Sequence, residues 1–359
     1  MKVLHVVADG RPGGGTTNVL ALAEDQRALG HDVTLLTDHG SYAADVARAS
    51  DVAVEEAAFF TSRFDPRLPR AIARTVGTVA PDVVHVHGAR AGFLYALTPR
   101  RTSVPSVYTV RGYHFLRKPP GARHAAALAE RLASARTDLT VHVCAYDARL
   151  ASAWGLTATA RSRVIHNGIR RSDVPAAAEG DPRLVVTLGR LAHQKDPHMV
   201  VAVAERLAAE GFRFRLIGGG PLEVAVHRAI EAAGLRDVVE VTGALPRADA
   251  LAAMRDAGVF FLPSRWEGFP IAPIEAMEMG LPVVLSNVSG MPEVVGDDGG
   301  VLVDTHDPAA YAEALRSVVR DDASRATMVA RARERVANHF TRDAVTAAYL
   351  DAYRSVIAR

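Results

Sequence analysis

One pattern, stated twice, constrains this chain more than any other feature. The stretch "KVLHVVADGRPGGGTTNVLALAEDQRALGHDVTLLTD" begins with a β-branched apolar run at 3–7 and a glycine-rich turn. A helical pattern follows from about 17 to 29, stopped by Gly30, and then a second apolar run at 33–36. From residue 183, "RLVVTLGRLAHQKDPHMVVAVAERLAAEGFRFRLIGGG" repeats the sequence of strand, loop, helix and strand, with Gly211 as the helix stop. Each is a β–turn–α–β unit. Apolar runs without polar alternation suit strands buried on both faces of a parallel sheet. Further runs of the same kind are "DVVHVHG", "PSVYTV" and "TVHVCA" in the first half, then "VVEVTG", "AGVFFLP" and "LPVVLS" in the second. At 359 residues the chain exceeds what one core usually supports. The expectation is an α/β protein of two Rossmann-like parallel-sheet domains facing a central cleft, where ligands of open α/β sheets bind. A Pro/Gly/Ala-rich linker is expected around 166–182.

Composition narrows the partners. Basic residues number 42 and acidic ones 40, so the formal charge is only +2. A nucleic-acid-binding protein usually carries a domain-wide basic excess, and none is expected as a partner here. Cys144 is the single cysteine, read as a core thiol, and it excludes an internal disulfide. The N-terminal "MKVLHVV" has no secretory pattern, and no apolar run approaches the ~20 residues that cross a bilayer. A cytoplasmic location is expected, with any membrane contact peripheral at the inner face.

The polar residues that stand out follow strand ends. "ADGRPGGGTTN" opens a helix, where backbone N–H groups suit a phosphate, but a tight structural turn explains it equally well. It is not a clean G-x-G-x-x-G, because Asn18 holds the third glycine position, although Asp38 follows the next strand as an NAD-site acid would. Arg190 and Lys195, five positions apart after the first strand of the second repeat, form a reasonable diphosphate clamp. In "SRWEGFPIAPIEAMEMG", residues 264–280, Glu267 falls in a strand-to-helix loop and Glu275 in the first turn of the helix that Gly280 ends. Amides of Gly268, Phe269 and Ile271 there favour an anion. The two carboxylates would repel a phosphate but accept hydrogen bonds from hydroxyls. A sugar nucleotide carries hydroxyls on both sides of its diphosphate, which accounts for both acids. A glycosidase carboxylate pair leaves Arg190 and Lys195 unexplained.

These motifs resemble the family 4 retaining glycosyltransferases of GT-B fold. "GRLAHQKDPHMVVAVA" is similar to that family's Arg–Lys donor loop, "LIGGGPL" to its glycine-rich strand end, "EGFPIAPIEAMEMGLPVV" to its E-x₇-E signature and "HNGI" to its hinge. The resemblance runs along nearly the whole chain. It implies an acceptor domain at 1–168, a nucleotide-sugar donor domain at 169–342 and a last helix at 343–359 crossing back to the first domain. Glu275 would bind ribose hydroxyls and Glu267 those of the transferred hexose. Arg190 and Lys195 would hold the diphosphate, with Gly15, Gly268, Phe269, Pro270 and Ile271 assisting and the base near Leu245.

The implied reaction is metal-independent hexosyl transfer with retention, from a nucleotide sugar, UDP-linked by family preference. The acceptor would be a glycan, a lipid-linked sugar or a small molecule. No cofactor or metal is expected, and His85 and His87, on one strand face in "DVVHVHG", are read as structural. Where the family commonly has a histidine after the strand resembling "VYTV", this chain has Arg111, which cannot titrate near neutral pH but can neutralise a phosphate. His114, three residues on, is the candidate to cover part of the missing role. Arg111 and His114 are thus the acceptor-side candidates. Tyr113 and Phe115 among Arg111, Arg117 and Lys118 suit an anionic membrane surface or a lipid-diphosphate acceptor. The alternatives are a nucleotide-sugar-binding protein without turnover and, more distantly, an NAD-dependent dehydrogenase.

Overall fold

The computed structural model describes residues 1–59, 65–99, 104–178 and 180–358. It divides into two compact units: Met1–Asn167 together with Arg342–Arg359, and Gly168–Thr341. Each is built on one parallel sheet, as the repeated strand pattern requires.

In the first unit the strands are β1 (Lys2–Val7), β2 (Asp32–Asp38), β3 (Ala53–Ala57), β4 (Val83–His87), β5 (Ser106–Val110), β6 (Leu139–His142) and β7 (Ser162–Val164). They lie in the order β3-β2-β1-β4-β5-β6-β7, every neighbouring pair parallel. All five residues of β4 and of β5 are buried, the expected state of a central strand covered by helices on both faces. The order reverses between β1 and β4, so the loops leaving those two strands diverge and open a crevice at their carboxyl ends. The last helix, Arg342–Ile357, belongs to this unit: Tyr349, Leu350, Tyr353 and Val356 pack with Val3, Leu22, Val83, Val107 and Leu139. A polar clasp adds to that contact. Arg342 donates to Asp25 Oδ1 at 2.6 Å, Asp25 Oδ2 at 2.7 Å, Glu24 Oε2 at 2.9 Å and the Ala21 carbonyl at 2.7 Å, all on the helix Gly14–Ala28.

In the second unit β8 (Asp181–Leu188), β9 (Arg213–Ile217), β10 (Val239–Gly243), β11 (Ala257–Leu262), β12 (Val283–Ser286) and β13 (Val301–Val303) run β10-β9-β8-β11-β12-β13. Here the order reverses between β8 and β11, whose pairing sets Val185 beside Val259 and Val186 beside Phe260. The core beneath joins Val185, Phe214, Leu216, Val259 and Phe261 of the sheet to Val200, Val203 and Leu207 of the helix Pro197–Leu207.

Two expectations change. The stretch expected as a linker is mostly docked on the second unit: Ala177 N donates to the Met279 carbonyl at 2.9 Å, Ala178 N to that of Arg255 at 2.8 Å, and Arg171 pairs with Glu278 at 2.9 Å. Apart from the short 3-10 turn Arg171–Asp173, its described residues ahead of β8 run as irregular backbone held by these contacts. The helix after β11 spans Ile271–Met279, so Glu275 is its fifth residue, and no acid stands in the first turn. Pro270 is the cap, and its extended backbone sets the start ahead of Pro273. Gly280 does end it, at φ 98°.

Candidate active site

Because β8 and β11 are neighbours, the loops that follow them leave the sheet side by side, and they are stitched together. Arg265 N donates to the Gln194 carbonyl at 2.8 Å, and Gln194 Nε2 donates to the Trp266 carbonyl and to Glu267 Oε2, each at 3.1 Å. Lys195 Nζ lies 2.6 Å from Glu267 Oε1, which also accepts from Ser264 Oγ at 2.7 Å. Next along, Asp196, buried and left-handed at φ 46°, takes Arg265 at 2.6 Å and His306 at 2.7 Å. The structure therefore brings Lys195 and Glu267 into one ion pair with both carboxylate oxygens of Glu267 occupied. A buried carboxylate satisfied on both oxygens is held in a fixed orientation.

Arg190 is different. It is exposed, and among the described residues its guanidinium has no ion pair or hydrogen bond. Its backbone, by contrast, is fixed by the glycine turn after β9. Leu191 N donates to the Gly219 carbonyl at 3.0 Å and Leu222 N to that of Leu191 at 2.9 Å. A Cβ at Gly218, which stands at φ 139°, would come within 2.1 Å of the Gly189 carbonyl oxygen. The turn needs glycine because it packs directly on the Arg190 loop.

Glu275 is 2% exposed and its partner is Arg247, the first residue of the helix Arg247–Ala252. Burial pushes the Glu275 carboxyl up, and the Arg247 charge opposes the shift. Arg247 was not legible as a site residue: it follows "TGALP" at no recognisable spacing from either acid. Leu245, two residues before it, is 37% exposed. The N–H groups of Gly268 and Ile271 have no partner among the described residues, while Phe269 packs edge-on against Phe340 at 5.3 Å. Pro270 has no N–H to offer and serves as the helix cap.

In the first unit Gly15 is the second residue of the helix Gly14–Ala28, and a Cβ there would meet Arg111 Cδ at 3.3 Å. Arg111 follows β5 and lies along the opening turn of that helix. It is partly buried, its Nε has no partner, and no carboxylate among the described residues pairs with it. Burial lowers its affinity for the proton, yet a guanidinium stays charged. Among the described residues its one polar contact runs from Nη2 to His87 Nδ1 at 3.3 Å. The side chain of His114 lies outside the described residues. Tyr113 and Phe115 are buried at 7% and 3%, so they do not face a membrane as expected. Tyr113 packs inward because its hydroxyl meets His142 Nε2 at 3.1 Å, and Phe115 meets Trp154 edge to face at 5.1 Å.

His85 and His87 are joined by His5 of β1, the three with nitrogens within 4.8 Å of one another. That spacing could suit a metal, but the donor set does not. All six ring nitrogens already have hydrogen-bond partners, and the Arg111 cation abuts the group, which disfavours a second positive charge.

Residues 13–168 match the family model described as a glycosyl transferase 4-like domain, and residues 169–335 that described as glycosyl transferases group 1. The colanic acid biosynthesis glycosyltransferase WcaL of Escherichia coli K12 is 37% identical over 186 residues, 49% of this chain and 46% of that protein. A D-inositol 3-phosphate glycosyltransferase of Salinispora tropica is 30% identical over 322 residues, 77% of this chain and 64% of that one. The match thus spans less than half the length of the first of these relatives. Among solved structures, Anabaena Alr3699/HepE in complex with UDP and glucose superposes with TM-score 0.86 at 18% identity, covering 99% of this chain and all of that one. At that identity the likeness shows the fold, which is GT-B.

Proposed function

The chain belongs to the group 1 glycosyl transferases, and from that premise we propose that it transfers a hexose from a UDP-linked donor, with retention at the anomeric carbon. The acceptor is a growing glycan, a lipid-linked sugar or a small molecule. The observation that carries this reading is the stitched wall at the ends of β8 and β11. There Lys195 and Glu267 share an ion pair, and Arg190, in the same loop as Lys195, has a fixed backbone and a guanidinium with no partner among the described residues.

On this reading Arg190 takes the donor diphosphate in a charge-assisted contact, and Lys195 reaches the same phosphates while still tethering Glu267. Glu267 accepts hydrogen bonds from the hexose hydroxyls, in an orientation set by Ser264 and Gln194. Glu275 accepts those of the ribose, with the Arg247 charge opposing the effect of its burial. The amides of Gly268 and Ile271 face the phosphates, and the backbone at Leu245 faces the base. As the C1–O bond to the phosphate breaks, negative charge gathers on the leaving group. Oriented cations and amides stabilise it without rearranging. The acceptor hydroxyl forms the new C1–O bond on the same face and its proton passes to the departing phosphate. The cations do the work a metal does elsewhere, so the reaction is proposed to need neither metal nor cofactor. Arg111, with no carboxylate to cancel its charge, serves an anionic group on the acceptor side.

Nucleoside diphosphate release tests the site. Glu275→Ala and Arg190→Ala are each expected to cut turnover by roughly 10²-fold or more with the fold intact. Normal turnover in both sinks the assignment. Donor binding without turnover across a wide acceptor panel would favour the binding-protein alternative. The family matches leave the dehydrogenase alternative without support.

No described helix is long and apolar enough to cross a membrane. We propose a peripheral contact through the helix Pro120–Ala135, where Leu128 is 57% and Leu132 38% exposed and His124 lies 6.2 Å from the 36%-exposed Trp154. The only acid between 111 and 136 is Glu130, which is buried, so the outward charges there are basic. Co-sedimentation with phosphatidylglycerol vesicles, lost in Leu128→Asp, is the expected result, and equal binding to neutral vesicles contradicts it.

A further inference from the structure

The three buried histidines are more than core filling, and one neighbour fixes how their protons lie. Arginine can only donate, so His87 Nδ1, 3.3 Å from Arg111 Nη2, must accept. A neutral His87 then carries its proton on Nε2 and donates to His5 Nδ1 at 2.9 Å. His5 in turn donates from Nε2 to Gln26 Oε1 at 2.8 Å, which turns the Gln26 amide nitrogen to the Tyr353 hydroxyl at 3.2 Å. Tyr353 donates to His85 Nδ1 at 2.6 Å, and His85 Nε2 to Thr109 Oγ1 at 2.7 Å. Thr109 finishes on the Tyr349 hydroxyl at 3.3 Å. Every link has one donor and one acceptor, all in the same direction: from Arg111 through β4, β1 and the helix Gly14–Ala28 to Tyr353 of the C-terminal helix, and back through β4 and β5 to Tyr349.

Protonating His5 or His87 would put two donors face to face. Burial already holds His5 down to about 4 and keeps His85 and His87 well below the usual imidazole range, the Arg111 charge adding to both. A carboxylate in the place of His87 would hold Arg111 more strongly but would cancel its charge. A neutral imidazole orients the guanidinium and leaves the charge available.

We propose that His87 is a positioning residue for Arg111: the one-way chain that leads from His87 to the C-terminal helix leaves a bare Nδ1 lone pair that orients an uncompensated cation for an anionic group of the substrate. The substrate side of this rests on the transferase reading above; the chain itself does not.

Asn and Gln at position 87 separate its two nitrogens, because an Asn amide oxygen can stand near Nδ1 whereas a Gln amide reaches the Nε2 position. Nitrogen NMR of the full chain at pH 7 is expected to show all three rings neutral and protonated on Nε2, with a slowly rotating Arg111 Nη2 signal. That Arg111 signal should survive in H87N and average out in H87Q, with melting temperatures alike. Where hexosyl transfer is measured, H87Q should lose on the order of 10²-fold in kcat while H87N stays within roughly tenfold of wild type. A charged ring or an Nδ1-protonated His87 at pH 7, or an Arg111 signal in H87Q like that of wild type, overturns the proposal. A wild type that transfers no sugar while the NMR pattern holds counts against the transferase reading alone.

Discussion

At the level of single side chains, burial sets the protonation of Glu130. Desolvation raises its carboxyl to about 7, against the hydrogen bond donated by Tyr108 at 2.7 Å and with the Asp147 charge adding to the rise. The unfolded chain releases that proton near the ordinary glutamate range, about pH 4.3, whereas the native state keeps it until near 7. Native stability therefore falls as pH rises through that window, and the penalty is complete above it. Glu130→Gln should be more stable than wild type at pH 8 by up to about 3 kcal/mol and indistinguishable from it at pH 4, read as the difference in melting temperature. A difference that does not vary with pH contradicts this. Single residues also mark how far the sequence could be read. Lys195 and Glu267 each stood out after a strand, but their ion pair depends on β8 lying next to β11, a pairing that the 68 intervening residues, 189–256, do not reveal. His5 and Arg247 had no spacing to betray them, since each acquires its partners only across the sheet or between loops.

At the level of elements, the strands were legible because β-branched runs have few other uses, and the helix stops were legible because Gly30, Gly211 and Gly280 adopt positive φ. Boundaries that depend on docking were not. The 166–182 stretch looked like a tether by composition, yet its backbone bonds to residues 255 and 279, which composition cannot foresee. The C-terminal helix tests the weight of one polar contact. Arg342 and Asp25 are each 12% exposed, so removing the guanidinium strips a nearly buried carboxylate of its charged partner. Arg342→Ala should loosen the helix by about 2–3 kcal/mol, seen as a roughly 30- to 160-fold loss of hydrogen-exchange protection across Arg342–Ile357. Unchanged protection would mean that Tyr349, Leu350 and Tyr353 hold the helix alone.

For the whole molecule, two sheets with a reversal of strand order place every candidate group at carboxyl strand ends, which is why so much of the chemistry followed from where strands stop. Acceptor choice stayed illegible, since it rests on side chains of the first unit that match no spacing rule. The central claim is that the second unit grips a nucleoside diphosphate through Arg190 and the Lys195–Glu267 wall. The most direct measurement is the melting temperature of the full chain in UDP, GDP and ADP, for wild type and Arg190→Ala. At a hundredfold excess over Kd, a bound nucleotide adds about 2.7 kcal/mol. The account predicts a rise with UDP in wild type that shrinks sharply in the variant. No rise with any of the three, or an equal rise in both proteins, contradicts it.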